Sequence, residues 1–346
     1  MRGKHTVIIC FSVFLCLVAG FWAIRENAWS KPHSISAEVR SDGRVEEVKL
    51  WMSPSETYYL FVPGYADLSQ VHIRRHVSGG LYLDDRKVTD AMVCSDFPLE
   101  EPLTLIHDGY FSDQWNKLTI VQSADVATMY IDVKSGTMDY IHGEKGNKES
   151  GTMRLYTAEG KLEAEAMVDS LQGRGNSTWQ WYEKKPYSLD LSSEEDLLGM
   201  GAASRWILLA NSFDLSNIKN KMAYELAGNA GMPYTPDCQW VDLYLNGEYA
   251  GLYLLSERNE IHPNRVDIPA ESSFLVAWES EHRMIEQGYP YVKTDRGTAI
   301  RIHHSAFDLE KVRRIWQSAE NAIFAEDGID PVTGKHYLEL IDLDSW

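Results

Sequence analysis

A glycine-bearing turn, Gly173-Arg174-Gly175-Asn176-Ser177-Thr178-Trp179, is followed shortly by two adjacent lysines, Lys184 and Lys185, later by Glu225, and then by the run Ser256-Glu257-Arg258-Asn259-Glu260. Parts in this order suit phosphate chemistry. The N–H groups of a glycine turn can point at phosphate oxygens, a strand lysine can neutralise them, and a helix glutamate can hold that lysine in place. Alternation along residues 185–191 puts Lys185 on one strand face with Tyr187, Leu189 and Leu191, so its ammonium should point inward, where it needs an anionic partner. Glu225 or a phosphate would serve. Each piece also has a plainer reading: Gly-x-Gly as a tight turn, Lys184 and Lys185 as a solvated pair, and Glu225 as the helix-surface partner of Lys221.

Elements to position these residues are legible along the chain. Residues 35–123 hold short runs rich in Val, Tyr, Leu and Ile, punctuated at Pro63-Gly64, Ser78-Gly79-Gly80 and Asp84-Asp85. They read as a small antiparallel β domain of sandwich type, serving as a binding or spacer module. A second unit starts near Ala127 with a strand over 127–133. A polar stretch at 144–151 separates it from the next strand, and 206–210 is an apolar run that suits a buried strand or helix turn. Asp214 or Ser216 can cap a helix whose Ile218, Met222 and Leu226 share one face, with Gly228, Gly231 and Pro233 ending it. Runs at 239–245 and 249–255 form a hairpin through Asn246-Gly247, a pair that accepts the positive φ of a type I′ turn. Apolar residues on both faces make this hairpin central. An amphipathic helix starts near Asp308, with Leu309, Val312, Trp316, Ala319 and Ile323 in register.

Composition narrows the function classes. Net charge of -18 argues against nucleic acid, whose phosphates such a surface repels. At the N-terminus Arg2, Lys4 and His5 precede an uncharged apolar stretch at 6–24. Residues 1–30 therefore read as a signal peptide or membrane anchor, which would export the rest of the chain and hold it to the membrane through 6–24. Cys10 and Cys16 fall inside that stretch, leaving Cys94 and Cys238 either to bridge or to stay as free buried thiols. His303-His304 lacks a third ligand nearby, so no metal site is assigned.

Longer strings resolve the ambiguity of the single motifs. The glycine turn, then Lys184-Lys185-Pro186-Tyr187, then 206–211 through Asn220-Lys221-Met222-Ala223-Tyr224-Glu225-Leu226, and finally 244–255 closely resemble the CotH kinase family, named for spore-coat protein H. The resemblance covers 127–346. It implies an α+β, atypical protein-kinase-like domain that uses ATP with Mg or Mn to phosphorylate serine in a basic, Ser-rich coat or cell-surface protein. Carried over by analogy, Gly173, Arg174, Gly175, Asn176 and Ser177 form the phosphate-side turn, with Arg174 contacting phosphate. Lys185 binds phosphate, with Lys184 as the alternative if the strand register slips. Glu225 orients that lysine, and Glu257 lies beside the adenine. One departure stands out: the family's catalytic aspartate and metal-binding acidic run lie beyond the position of Trp346. No catalytic or metal-binding residue is therefore assigned, and Asp342 and Asp344 read as the lead-in to a further helix. The chain is expected to be a fragment or a degenerate member, which leaves two functions open: an exported ATP-dependent protein kinase, or a noncatalytic surface or coat-assembly protein.

Overall fold

The computed structural model describes residues 34–77, 79–108 and 114–343. The apolar stretch at 6–24, both its cysteines, and Asp344 lie outside them. Strands dominate and helices are few, a mixed α+β fold. Among the described residues no helix is long and apolar enough to cross a membrane. The chain divides into two compact units, one formed by residues up to 140 with 149–165 and 241–252, the other by 141–148, 166–240 and 253–346.

In the first unit the strands β1 (Ile35–Ser41), β2 (Arg44–Lys49), β3 (Trp51–Met52), β4 (Thr57–Val62), β5 (His72–Arg75), β6 (Leu81–Leu83), β7 (Arg86–Lys87), β8 (Pro102–His107) and β9 (Gln114–Gln122) form two sheets. One has the order β2-β1-β5 and the other β3-β4-β9-β8-β6-β7. Alternation decides which side chains turn inward: Tyr58, Leu60 and Val62 of β4 are buried, and they share a core with Ile35, Ala37, Val39, Ile73 and Leu83. The expected all-antiparallel pattern fails at one place. β9 runs parallel to β4, Thr57 opposite Lys117, because the excursion through β5 to β8 returns the chain in its original direction.

β10 (Ala127–Val133) pairs antiparallel with β11 (Lys148–Tyr156) and parallel with residues 241–245. The turn after 245 has the conformation expected from Asn-Gly, with φ +52° at Asn246 and +82° at Gly247. Asn246 Oδ1 also accepts a hydrogen bond from the Val133 N–H at 2.9 Å, tying the turn to the end of β10. Charge in this unit is neutralised locally. Arg154 grips the buried Glu46 with two bonds of 2.6 and 2.9 Å and reaches Asp132 at 2.6 Å, while the Tyr156 hydroxyl donates to Glu46 at 2.7 Å. α1 (Asp139–Gly143) follows β10.

The second unit holds residues 166–173 of β12 (Leu162–Gly173), then β13 (Tyr187–Glu195), β14 (Ala203–Leu209), the start of β15 (Cys238–Leu245) and the end of β16 (Glu248–Glu257). Antiparallel pairing links β12 to β13, β13 to β14, and β14 to β16, through Leu171–Leu189, Leu189–Trp206 and Trp206–Glu257. Trp206 is fully buried. A separate sheet places β19 (Ala299–Ser305) between β17 (Phe274–Trp278) and β18 (Tyr291–Lys293). Val292, Ile300 and Ile302 of that sheet pack with Val312 of a helix at Leu309–Phe324. As expected, Asp308 caps that helix, accepting from the Lys311 N–H at 2.7 Å.

Besides the end of α1, the helices of this unit among the described residues are α2 (Ser177–Trp181), α3 (Lys219–Asn229), α4 (Glu281–Gln287) and α5 (Leu309–Phe324). α3 corrects the sequence reading. Asp214 accepts from the Lys219 N–H at 2.8 Å, as a helix-start residue should, but Ile218, Met222 and Leu226 are 47, 49 and 64% exposed. The half-buried side is instead Asn217, Lys221, Tyr224 and Ala227, offset from the apolar stripe by one residue. One residue is 100° of helix rotation, enough to turn one stripe out and another in. Lys221 can face the sheet because its Nζ donates to the Cys238 carbonyl at 3.1 Å. Cys94 and Cys238 are free buried thiols, and burial pushes Cys94 up to about 12 and Cys238 upward.

Candidate functional site

The glycine turn begins where β12 meets Trp179. A Cβ at Gly173 would lie 2.7 Å from Cε3 of that buried ring and nearer still to two further ring atoms, so packing alone requires glycine there. Gly175 follows with φ +75°, in the left-handed region that glycine enters freely. The Arg174 N–H donates to the Pro186 carbonyl at 3.0 Å, fixing the turn against the lead-in to β13. Lys145 closes the other side, its Nζ donating to the Gly175 carbonyl and to Asn176 Oδ1, both at 3.0 Å. Burial, then repulsion from Arg283, lowers the Lys145 pKa. Ser177 opens α2 from this turn.

The two lysines precede the strand rather than sit within it, since β13 starts at Tyr187. Their carbonyls are held, Lys184 by the Ser212 hydroxyl at 2.9 Å and Lys185 by the Tyr253 hydroxyl at 2.7 Å. Lys184 Nζ lies 4.6 Å above the Tyr253 ring. Lys185 Nζ donates to the Trp179 carbonyl at 2.5 Å and sits 5.4 Å over its indole ring. The expected Lys185–Glu225 pair is not formed, and among the described residues no carboxylate is in ion-pair contact with Lys185. The rotation of α3 explains this: Glu225, with its side chain 58% exposed, pairs with Lys221 four residues back at 3.1 Å. Glu257 is committed elsewhere. One oxygen accepts from Arg265 at 2.6 Å and the other from the Asp237 N–H at 2.9 Å, while burial raises its pKa against the pull of both partners.

What the structure adds is a gathering of guanidinium groups around Arg174. Its pKa is lowered, first by burial and then by Arg258 and Arg283, with Tyr224 of α3 the one neighbour acting the other way. Among the described residues the Arg174 side chain has no hydrogen-bond or ion-pair partner. Arg283 does have one, Glu279 at 2.7 Å, and Arg258 reaches Asp190 at 3.5 Å. Burial, then Arg205, lowers Arg258 in turn, and Arg301 adds to the repulsion. Several cations thus converge in a chain of net charge -18. Lys145, Arg283 and Arg301 had no sequence signal, because they lie far from the motifs along the chain, and Tyr224, inside the string that ends at Glu225-Leu226, carried no assigned role. Arg258 was visible only as a neighbour of Glu257.

Residues 171–332 match the family model described as CotH kinase protein. That match assigns this segment, just under half of the chain, to the CotH kinase family. No curated protein matches the chain. The CotH kinase segment begins at the last residues of β12, so the glycine turn, both lysines, α3, and the arginines at 174, 205, 258, 283 and 301 all fall within it. Lys145 lies before it. Among the described residues no group of three His, Cys, Asp or Glu side chains is placed to hold a metal ion.

Proposed function

We propose that the CotH kinase segment binds ATP and serves an exported protein kinase that phosphorylates serine in a basic, Ser-rich coat or cell-surface protein. One observation carries the phosphate half of this reading. Arg174, on the glycine turn, is half-buried within reach of the charges of Arg258 and Arg283, and among the described residues no carboxylate pairs with it. Burying a cation without a counter-ion is costly, and like charges raise that cost, so a polyanion arriving there is favoured twice. A guanidinium can also grip a phosphate with two parallel N–H bonds, which fixes orientation as well as charge.

Each neighbouring residue has a part in that reading. Gly173 and Gly175 let the backbone pass close under the phosphates, with Asn176 and Ser177 at their far edge. Lys145 and Lys185 hold the turn from its two sides by their bonds to the carbonyls of Gly175 and Trp179. Lys184 and Lys185 are the cations nearest in sequence that could turn to the phosphates. The Glu257–Arg265 pair anchors the segment that delivers Arg258. ATP would supply the transferable phosphoryl group. The described residues do not by themselves provide ligands for the Mg or Mn that the family resemblance implies. Export through residues 6–24 rests on the sequence pattern alone.

Calorimetric titration with ATP tests the reading. Arg174→Gln should weaken ATP at least tenfold, as expected for losing a charged bidentate contact, and equal affinities would remove the phosphate site. Transfer is then measured on a basic, Ser-rich peptide with magnesium or manganese. ATP binding without transfer would move the function to a noncatalytic surface or coat-assembly protein.

A further inference from the structure

Arg301 lies at the middle of a sheet, yet its charge is unanswered. Its strand β19 is flanked on both sides, with Arg301 opposite Ala277 on β17 and opposite Tyr291 on β18, so its backbone is held firmly. The guanidinium stacks 3.5 Å over the Tyr289 ring, its Nε is buried without a partner, and among the described residues no carboxylate pairs with it. It opens into a pocket of about 420 Å³ that Arg205, Arg258 and His303 also line. The local carboxylates are already shared. Asp190 lies 3.8 Å from Arg205 and 3.5 Å from Arg258, and Glu260 lies 3.0 Å from Arg205. Three arginines therefore face two carboxylates. His303 has no hydrogen-bond partner among the described residues, whereas His304 is engaged with the Ala270 carbonyl at 2.8 Å. Burial, then Arg301 and Arg258, lowers the His303 pKa against the weaker pull of Glu279, which is itself paired with Arg283 at 2.7 Å.

We propose that Arg301, Arg258 and His303 form a second oxyanion site, which takes the phosphate monoester of a phosphoserine side chain on a polypeptide. The pocket is of ligand size, and its chemistry favours that source. Leu275 and Ile302 also line it, apolar surface that would cover a peptide's carbon atoms and has nothing to offer a bare phosphate ion. A nucleotide is disfavoured because Tyr289, the aromatic ring lining the pocket, already has Arg301 on one face and so makes a poor stacking platform for a base. Two guanidinium groups from different elements, neither satisfied in full, suit the three oxygens of a monoester. This names a substrate class for the kinase reading, a serine-bearing polypeptide already phosphorylated near the acceptor, and in that respect it rests on that reading. The pocket itself does not.

The test titrates the full chain with an acetylated Gly-phosphoserine-Gly amide, its unphosphorylated counterpart, inorganic phosphate and ATP. The phosphopeptide should bind at least tenfold more tightly than both the unphosphorylated peptide and inorganic phosphate. Arg301→Gln should weaken it at least tenfold while leaving ATP within twofold, and Arg174→Gln should do the reverse. Arg301→Lys guards against misfolding, since it keeps the charge and most of the volume but loses the planar fork. It should bind the phosphopeptide severalfold more weakly with an unchanged melting midpoint. Equal binding of the two peptides, phosphate binding as tightly as the phosphopeptide, or indifference to both Arg301 variants would overturn the proposal. Failure of ATP to bind the wild type would count against the kinase reading and leave the phosphopeptide result standing.

Discussion

Replacing Gly173 by alanine asks whether the glycine turn is shaped by packing. The new methyl carbon would sit 2.7 Å from Trp179 Cε3, against the roughly 3.5–4.0 Å at which carbon atoms rest, so the ring must retreat by about 1 Å or more. It has little freedom to do so. Trp179 is buried, its ring makes an edge contact with His142, and its carbonyl accepts the Lys185 ammonium. Overpacking of this kind costs about 1–3 kcal/mol, and loosening a charged hydrogen bond adds about 1 kcal/mol. A total of about 2–4 kcal/mol, divided by a urea slope of about 2 kcal/mol/M, lowers the denaturation midpoint by roughly 1–2 M. Tryptophan fluorescence during urea unfolding reads the change, and ATP affinity should fall with it as the turn shifts. Gly143→Ala is the internal control. There the added carbon would meet only Asn147 Nδ2, at 3.8 Å, and the helical position should tolerate alanine or gain slightly from it. An unchanged Gly173→Ala midpoint, with ATP binding as in the wild type, would refute the packing argument.

Arg174→Met removes an unpaired, half-buried charge at similar volume, so thermal unfolding should show a gain of up to about 1 kcal/mol while ATP binding is lost. A destabilised variant would mean that Arg174 has a structural partner. Glu225→Gln should change stability by no more than about 0.5 kcal/mol and ATP affinity by less than twofold, because Glu225 is itself exposed and its one ion pair, with Lys221, is a surface helix pair. A large loss of affinity in calorimetry would restore the lysine-orienting role. Burial pushes the Asp330 carboxyl up, but bonds from Ser318, Thr333, the Val332 N–H and Asn321 outweigh it and hold the pKa well below the ordinary range. Its stabilising contribution is thus complete above the unfolded value of about 3.9 and lost as pH falls below that toward the folded value. Asp330→Ala should cost about 3 kcal/mol at pH 7 and flatten that acid limb in pH-dependent melting. Asn246→Ala should lose about 1–2 kcal/mol, measured by chemical denaturation, from its φ of +52° and the bond to the Val133 N–H.

The features that the sequence determined by itself are those settled within a few residues of chain. Asn246-Gly247 had to turn because few other pairs accept two positive φ angles in succession. Asp308 had to start a helix because its carboxylate reaches the N–H three residues on. Gly173 and Gly175 likewise marked a backbone that passes close to something, and the strings around them were long enough to identify the family. Tertiary structure decided which way the side chains faced. The apolar stripe on α3 and the half-buried stripe that replaces it are one residue apart, a difference that local pattern cannot resolve and contacts with Cys238 and the sheet can. That rotation separated Glu225 from Lys185. Nor could spacing show that Arg174, Arg258, Arg283 and Arg301 would gather. Coulomb interaction depends on distance in space, and only the folding of the second unit brings Arg174 within range of Arg258 and Arg283, and Arg258 within range of Arg301.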